Sequence, residues 1–248
     1  MQRLFIDRAR LVPGTLMLTG EEHHYLRRVL RVIAGDELTL FDGQGGEAPA
    51  RVLRMGPRAL ELTVGERTQQ AARVGPELVL VQSLLKSDKM DWVVQKATEL
   101  GATGVIPVES VRSVERLEGD RAVSRRERWL KIAVEAARQS GRATVPHIAP
   151  VTGLPDVLPA LGAETLKLCF WEEAKPPEQS LRGLIPAERP VRVAVLVGPE
   201  GGLAPSEVHA ATQHGWLTAS LGPRVLRAET AAIAALAIVG YALGDLGG

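Results

Sequence analysis

The sequence predicts a mixed α/β protein in two parts: a small strand-rich domain over residues 1–70 and a larger α/β domain over residues 71–248. Three observations predict it. Short apolar or alternating runs, split by glycine and proline turns, fill the first 66 residues around a single helical period. From Glu77 onward, strand-like and helix-like segments alternate, as in a largely parallel sheet covered on both faces. The length, 248 residues, suits one large domain or two modest ones.

In the first part, strands are expected at Leu4–Ile6, Leu16–Leu18, Glu37–Phe41, Ala48–Arg54 and Ala59–Val64, with turns at Asp42-Gly43-Gln44-Gly45-Gly46 and Met55-Gly56-Pro57. One helix, Glu21–Val32, repeats Tyr25, Leu26, Val29, Leu30 and then Ile33 at helical spacing. So few strands and one helix suggest a compact β-barrel that binds rather than catalyses. Glu66–Pro76 lacks periodicity, ends in Gly-Pro and reads as a linker.

The second part opens on a buried strand, Leu78–Leu85. Ser87 or Asp88 then caps a helix carrying Met90, Val93, Val94, Ala97 and Leu100 on one face and stopped at Gly101. Gly104–Val108 is the next strand, followed by a long helix, Arg125–Ser140, stopped by Gly141. Strand Val145–Ala149, a short helix near Leu154–Leu161 and strand Thr165–Trp171 come next. Strand Val191–Val197, helix Pro205–His214, strand Leu217–Leu221 and the alanine-rich helix Ala228–Leu243 complete the series.

The composition, 45% hydrophobic and 24% charged, excludes disordered, collagen-like and coiled-coil classes. A single cysteine, Cys169, excludes a disulfide framework and a cysteine-clustered metal site, and no metal is expected. Asp7 and the Arg3/Arg8/Arg10 set break the first apolar run, so no signal peptide is expected. The apolar stretch Thr230–Leu243 is too short to cross a bilayer, and a cytoplasmic soluble protein is expected. Net charge is only +1, but residues 1–142 hold 23 Lys+Arg against 19 Asp+Glu, while residues 143–248 hold 7 against 10. A basic front suits a polyanionic partner, though chance variation gives the same pattern.

In open α/β sheets, ligands bind beyond the carboxyl ends of the strands. Three such ends are unusual: Glu172-Glu173 after the strand ending at Trp171, Gly198-Pro199-Glu200-Gly201-Gly202, and Gly222–Thr230. Glycines there let backbone approach a ligand closely, although a tight turn uses them equally. The sequence contains no dinucleotide fingerprint, P-loop, nucleophile elbow or His-Glu-x-x-His pattern, so the common redox and hydrolytic machineries are missing. In the last loop, Glu229 and Thr230 fall at a helix start, where capping explains them as well as function does. Arg227 is different: a cation at a helix N-terminus is unfavourable, and contact with an anion or substrate would account for it.

The segments 84–101, Glu135–Arg142 with Val145-Pro146, Val197–Gly202 and Leu221–Ala231 occur in an order that resembles the SPOUT class of RNA methyltransferases. More narrowly, the chain resembles the bacterial 16S ribosomal RNA uridine-N3 methyltransferase family, of the small-subunit methyltransferase E type. His24–Arg31 also fits, while Lys175–Pro190 matches nothing.

The resemblance implies a trefoil-knotted C-terminal domain, an exception to the rule against knots, preceded by a PUA-like RNA-binding barrel. It also implies a homodimer and S-adenosylmethionine as methyl donor. Cofactor contacts would come from Phe170, Trp171, Glu172, Val197, Gly198, Gly202, Ser220, Leu221, Gly222, Val225 and Leu226, with Leu221, Val225 and Leu226 beside adenine. Arg227 would stabilise the developing uracil anion, and Glu229 would accept the N3 proton or orient Arg227. Contacts to 16S ribosomal RNA or the small subunit are expected from Arg8, Arg10, Arg27, Arg28 and Arg31. Lys86, Lys89, Arg138 and Arg142 would add contacts near the active site. A knotted enzyme acting on another RNA position, a ribose 2′-oxygen or a tRNA base, or a non-catalytic RNA-binding protein, are the competing readings.

Overall fold

A computed structural model describes residues 2–70, 75–175 and 179–247. The chain divides into two compact units, Met1–Ala72 with Ala137–Val145, and Arg73–Ala136 with Pro146–Gly248.

The first unit contains β1 (Gln2–Phe5), β2 (Gly14–Thr19), β3 (Glu37–Phe41), β4 (Gly46–Met55), β5 (Ala59–Val64) and β6 (Thr68–Gln69). They form one sheet in the order β1-β3-β4-β5-β2, with β6 on β4. Side chains alternate along β4, so Ala48, Ala50 and Val52 face a core that holds Leu18, Leu26, Leu38 and Leu62. Among the described residues, β1 and β2 do not pair with each other, so the ladder is open where the sequence predicts a barrel. The predicted helix Glu21–Val32 is shorter: α1 (Gly20–His24) runs into a widened turn, Tyr25–Val29, where Leu30 N–H reaches Tyr25 O at 3.1 Å.

The predicted linker Glu66–Pro76 is partly structured, and its residues 71–74 lie outside the described residues. Thr68–Gln69 pairs with Gly46–Glu47, and Arg67 binds the fully buried Asp42 at 2.7 Å. Asp42 Oδ1 also accepts the N–H groups of Gln44 and Gly46, each at 2.8 Å. Burial pushes this carboxyl up, but Arg67 and the two N–H groups outweigh it and hold it below its ordinary 3.8. A lowered folded-state value stabilises above the unfolded value and loses that contribution as pH falls through the folded one. Thermal melts of the protein are therefore expected to fall below about pH 4. Asp42→Asn should start less stable at neutral pH and lose part of that acid dependence.

The second unit is built on β7 (Glu77–Ser83), β8 (Gly104–Glu109), β9 (His147–Ile148), β10 (Thr152–Gly153), β11 (Thr165–Phe170), β12 (Arg192–Val197) and β13 (Leu217–Ala219). The order is β10-β8-β7-β12-β11-β13, with β9 also on β8, and every pairing is parallel. In β12 every residue after Arg192 is buried, as a sheet covered on both faces requires.

The helices of this unit are α2 (Lys89–Glu99), α3 (Gly119–Ser140), α4 (Leu154–Ala160), α5 (Leu181–Leu184), α6 (Pro205–Gln213) and α7 (Ala228–Ala242). Helix α2 buries Met90, Val93, Val94 and Ala97, the predicted face. Gly101 (φ +89°) and Gly141 (φ +79°) stand just past the ends of α2 and α3, a left-handed position that glycine takes freely.

Three expectations are corrected. Helix α3 begins at Gly119 rather than Arg125, β9 covers two residues rather than Val145–Ala149, and α5 falls in Lys175–Pro190, where nothing was expected. The expected strand Leu217–Leu221 is also shorter: β13 stops at Ala219, leaving Ser220 and Leu221 to the loop. Among the described residues, no helix is long and apolar enough to cross a membrane.

Candidate active site

Because β12, β11 and β13 are parallel neighbours, their carboxyl ends lie side by side on one edge of the sheet. The loops that follow them enclose a cavity of about 310 Å³. Phe170, Trp171 and Glu172 come from the first loop, Val197, Gly198 and Gly202 from the second, and Ser220, Leu221, Gly222, Val225 and Leu226 from the third. Every position expected to contact the cofactor thus lines one cavity, and Arg227 and Lys89 line it too.

The glycines are there for close approach. A Cβ on Gly198 would stand 2.9 Å from Leu203 N and 3.1 Å from Gly202 C, both backbone atoms. Gly202 is left-handed (φ +70°), and a Cβ there would run into Glu172 Oε1. Two further side chains brace the loop. Gln82, fully buried at the end of β7, donates from Nε2 to Gly198 O at 3.3 Å. Arg112 donates to Gly201 O at 3.0 Å. The sequence offers no local sign of either brace, because both act across more than 80 residues.

Charge gathers at one side of the cavity. Glu200 Oε1 accepts from Lys86 N–H at 3.1 Å and from Lys89 Nζ at 3.1 Å. Lys89 Nζ also lies 3.5 Å from Glu229 Oε2. Burial would raise the Glu200 carboxyl, but its own N–H, Lys89 and Lys86 N–H outweigh that and hold it below the ordinary value. The bond to Glu200 raises Lys89, against the opposing effect of burial, and Glu229 adds to the rise.

Arg227 is the N-cap of α7, exposed, with no side-chain capping bond. Glu229 sits in the first turn of that helix, where its charge complements the dipole; its Oε2 is buried without a hydrogen bond. Cys169, in the middle of β11, is buried and its thiol is pushed up to about 12, so it is no nucleophile at neutral pH.

The basic residues are not all equally available. In the first unit, Arg10 is held by both oxygens of Glu22 at 2.7 and 3.0 Å, and Arg8 binds Gln44 at 2.7 Å. Arg27 reaches Pro57 O at 3.3 Å, while Arg28 and Arg31 are exposed. Arg138 lies 4.8 Å over the Tyr25 ring and Arg142 binds Thr144, so both group with the first unit and neither lines the cavity. In the second unit, the Lys86 side chain is exposed.

Comparison with known proteins identifies the family. The RNA methyltransferase domain family matches residues 73–240, and the RNA methyltransferase PUA domain family matches residues 18–65. The ribosomal RNA small subunit methyltransferase E of Bacillus subtilis is 35% identical over 247 residues, 97% of this chain and 96% of that protein. The chain belongs to the small-subunit methyltransferase E family. The family member of Mycobacterium tuberculosis is 34% identical over 240 residues, covering 95% of this chain and 90% of its own. A crystal structure of the Neisseria gonorrhoeae member, bound to S-adenosyl methionine, superposes with a TM-score of 0.88 at 32% identity, covering 99% of each chain.

Proposed function

We propose that this protein transfers a methyl group from S-adenosylmethionine to N3 of a specific uridine in the 16S ribosomal RNA of the small subunit. The observation that carries the reading is the single cavity at the ends of β11, β12 and β13, lined by Arg227 and by Lys89, whose ammonium lies 3.5 Å from Glu229 Oε2, in a chain of the methyltransferase E family.

The residues present suit the cofactor. The cavity reaches the lower end of the usual range for a small-molecule site, roughly 300–1,000 Å³. Leu221, Val225 and Leu226 offer apolar surface to a purine. Trp171 Nε1 is a buried donor without a partner, and the Glu172 carboxylate suits the hydroxyls or the cationic groups of such a ligand. When bound, S-adenosylmethionine supplies an electrophilic methyl on a sulfonium.

The chain's own groups address the other reactant. The lone pair of uracil N3 becomes available only when its proton leaves, and the Glu229 carboxylate is the acceptor within this site. The guanidinium of Arg227, free of a capping role, stabilises the negative charge that then spreads to the uracil oxygens. The reading also includes the trefoil knot formed by the three loops, RNA binding by the PUA-like unit, a homodimer and a cytoplasmic location.

Incubating the protein with small ribosomal subunits and methyl-labelled S-adenosylmethionine, then analysing the nucleosides by mass spectrometry, tests the proposal. Label in 3-methyluridine is the expected result. Label in a ribose-methylated nucleoside or another base overturns the choice of atom, and cofactor binding without transfer overturns the catalytic reading.

A further inference from the structure

Lys89 sits in the first turn of α2 on a charged motif, Lys86-Ser87-Asp88-Lys89, that reads most simply as a place for RNA phosphates. Its surroundings argue otherwise. The ammonium lies 3.1 Å from Glu200 Oε1 and 3.5 Å from Glu229 Oε2. One cation between two carboxylates is already neutralised by them, which leaves little of its charge to attract a phosphate. The Lys89 side chain keeps 37% of its exposure, Glu200 24% and Glu229 13%, so the attraction is incompletely screened by water at the Glu229 end.

The backbone is bent to make this arrangement. Ser87 holds φ +56°, a left-handed conformation that a serine adopts only at a cost. The turn brings Lys86 N–H and Lys89 Nζ onto the same oxygen of Glu200. Glu200 in turn stands in the glycine loop and lines the cavity, so the cation is anchored to the wall of the site. On the other side, Glu229 Oε2 is buried and makes no hydrogen bond, leaving the Lys89 ammonium as the charge that faces it.

We propose that Lys89 is a positioning residue of the methyl-transfer site: anchored by Glu200, its ammonium fixes the direction of the Glu229 carboxylate and does not contact RNA phosphate. This inference rests on the proposed function, because it gives Glu229 its work. It also divides the basic motif, with Lys86, whose side chain is exposed, left as the phosphate contact.

The test compares wild type, Lys89→Gln, Lys89→Arg and Glu200→Gln with small subunits as substrate. Lys89→Gln should lower kcat by about 10²-fold, the scale of a misdirected proton acceptor. RNA KM, cofactor Kd and the salt dependence of RNA binding should stay within twofold of wild type. Lys89→Arg should restore most of kcat, and Glu200→Gln should lower kcat in the same direction while keeping the cation. A phosphate contact would show the opposite: unchanged kcat at saturation, weaker RNA binding and a log–log salt slope smaller by about one. That result, or an unchanged kcat with unchanged affinity, overturns the inference alone. A wild-type protein that transfers no methyl overturns the proposed function instead. Cofactor titration of each variant verifies that its cavity has formed, and if Lys89→Gln fails it, the Glu200→Gln and Lys89→Arg pair decides.

Discussion

Arg227→Ala should abolish most methyl transfer while leaving cofactor affinity within about twofold. The guanidinium stands at the border of the cavity on an exposed N-cap whose side chain makes no capping bond, so its removal leaves the start of α7 without a lost hydrogen bond. In the proposed mechanism, what disappears is a cation that stabilises charge developing only during reaction. Removing one such group typically costs about 10²–10³ in kcat. Single-turnover kinetics with saturating small subunits measure the loss, and calorimetric titration of S-adenosylmethionine measures the retained affinity. Lys at this position should recover only part of the rate, because an ammonium lacks the planar fork that can serve two oxygens. Wild-type turnover in Arg227→Ala would remove this residue from the mechanism.

Gly198→Ala and Gly202→Ala should lose cofactor binding by roughly 10²-fold or more, the scale on which a misplacement of about 1 Å acts. At Gly198 the added methyl meets backbone of Leu203 and Gly202, which cannot swing aside as a flexible side chain would. At Gly202 the methyl adds left-handed strain of about 1–3 kcal/mol and drives into the Glu172 carboxylate, itself a wall of the cavity. Gly215→Ala is the control. It is also left-handed (φ +79°), nothing lies within 4 Å of its Cβ, and it does not line the cavity, so it should retain cofactor binding. Titration calorimetry together with thermal melts separates a lost ligand from a lost fold.

The alternation of elements after Glu77 was legible because strands buried on both faces are continuous apolar runs, as Val193 to Val197 shows. The convergence of the three loops was legible as well, since parallel strands must end on the same edge. Other features depend on distance. The pairing of Thr68–Gln69 with β4 is carried by backbone bonds and the Arg67–Asp42 contact, neither of which leaves a periodic trace. The closure of a small sheet depends on which strands become neighbours, and alternation along β1 and β2 is the same in an open ladder. Arg227 stood out locally through its conflict with the helix dipole. Lys89 did not, because its two carboxylate partners lie more than 100 residues away.

The position of β7 has a consequence for synthesis of the chain. Its two neighbours are β8, made soon after it, and β12, made more than 100 residues later. A nascent chain that has not yet reached Arg192 therefore carries β7 with one side unpaired, and that side belongs to a strand whose middle is Val79-Leu80-Val81. Exposed backbone beside apolar side chains is a template for another chain's strand. Between translation of Ser83 and Val197, this edge of β7 is therefore without the strand that covers it in the folded protein.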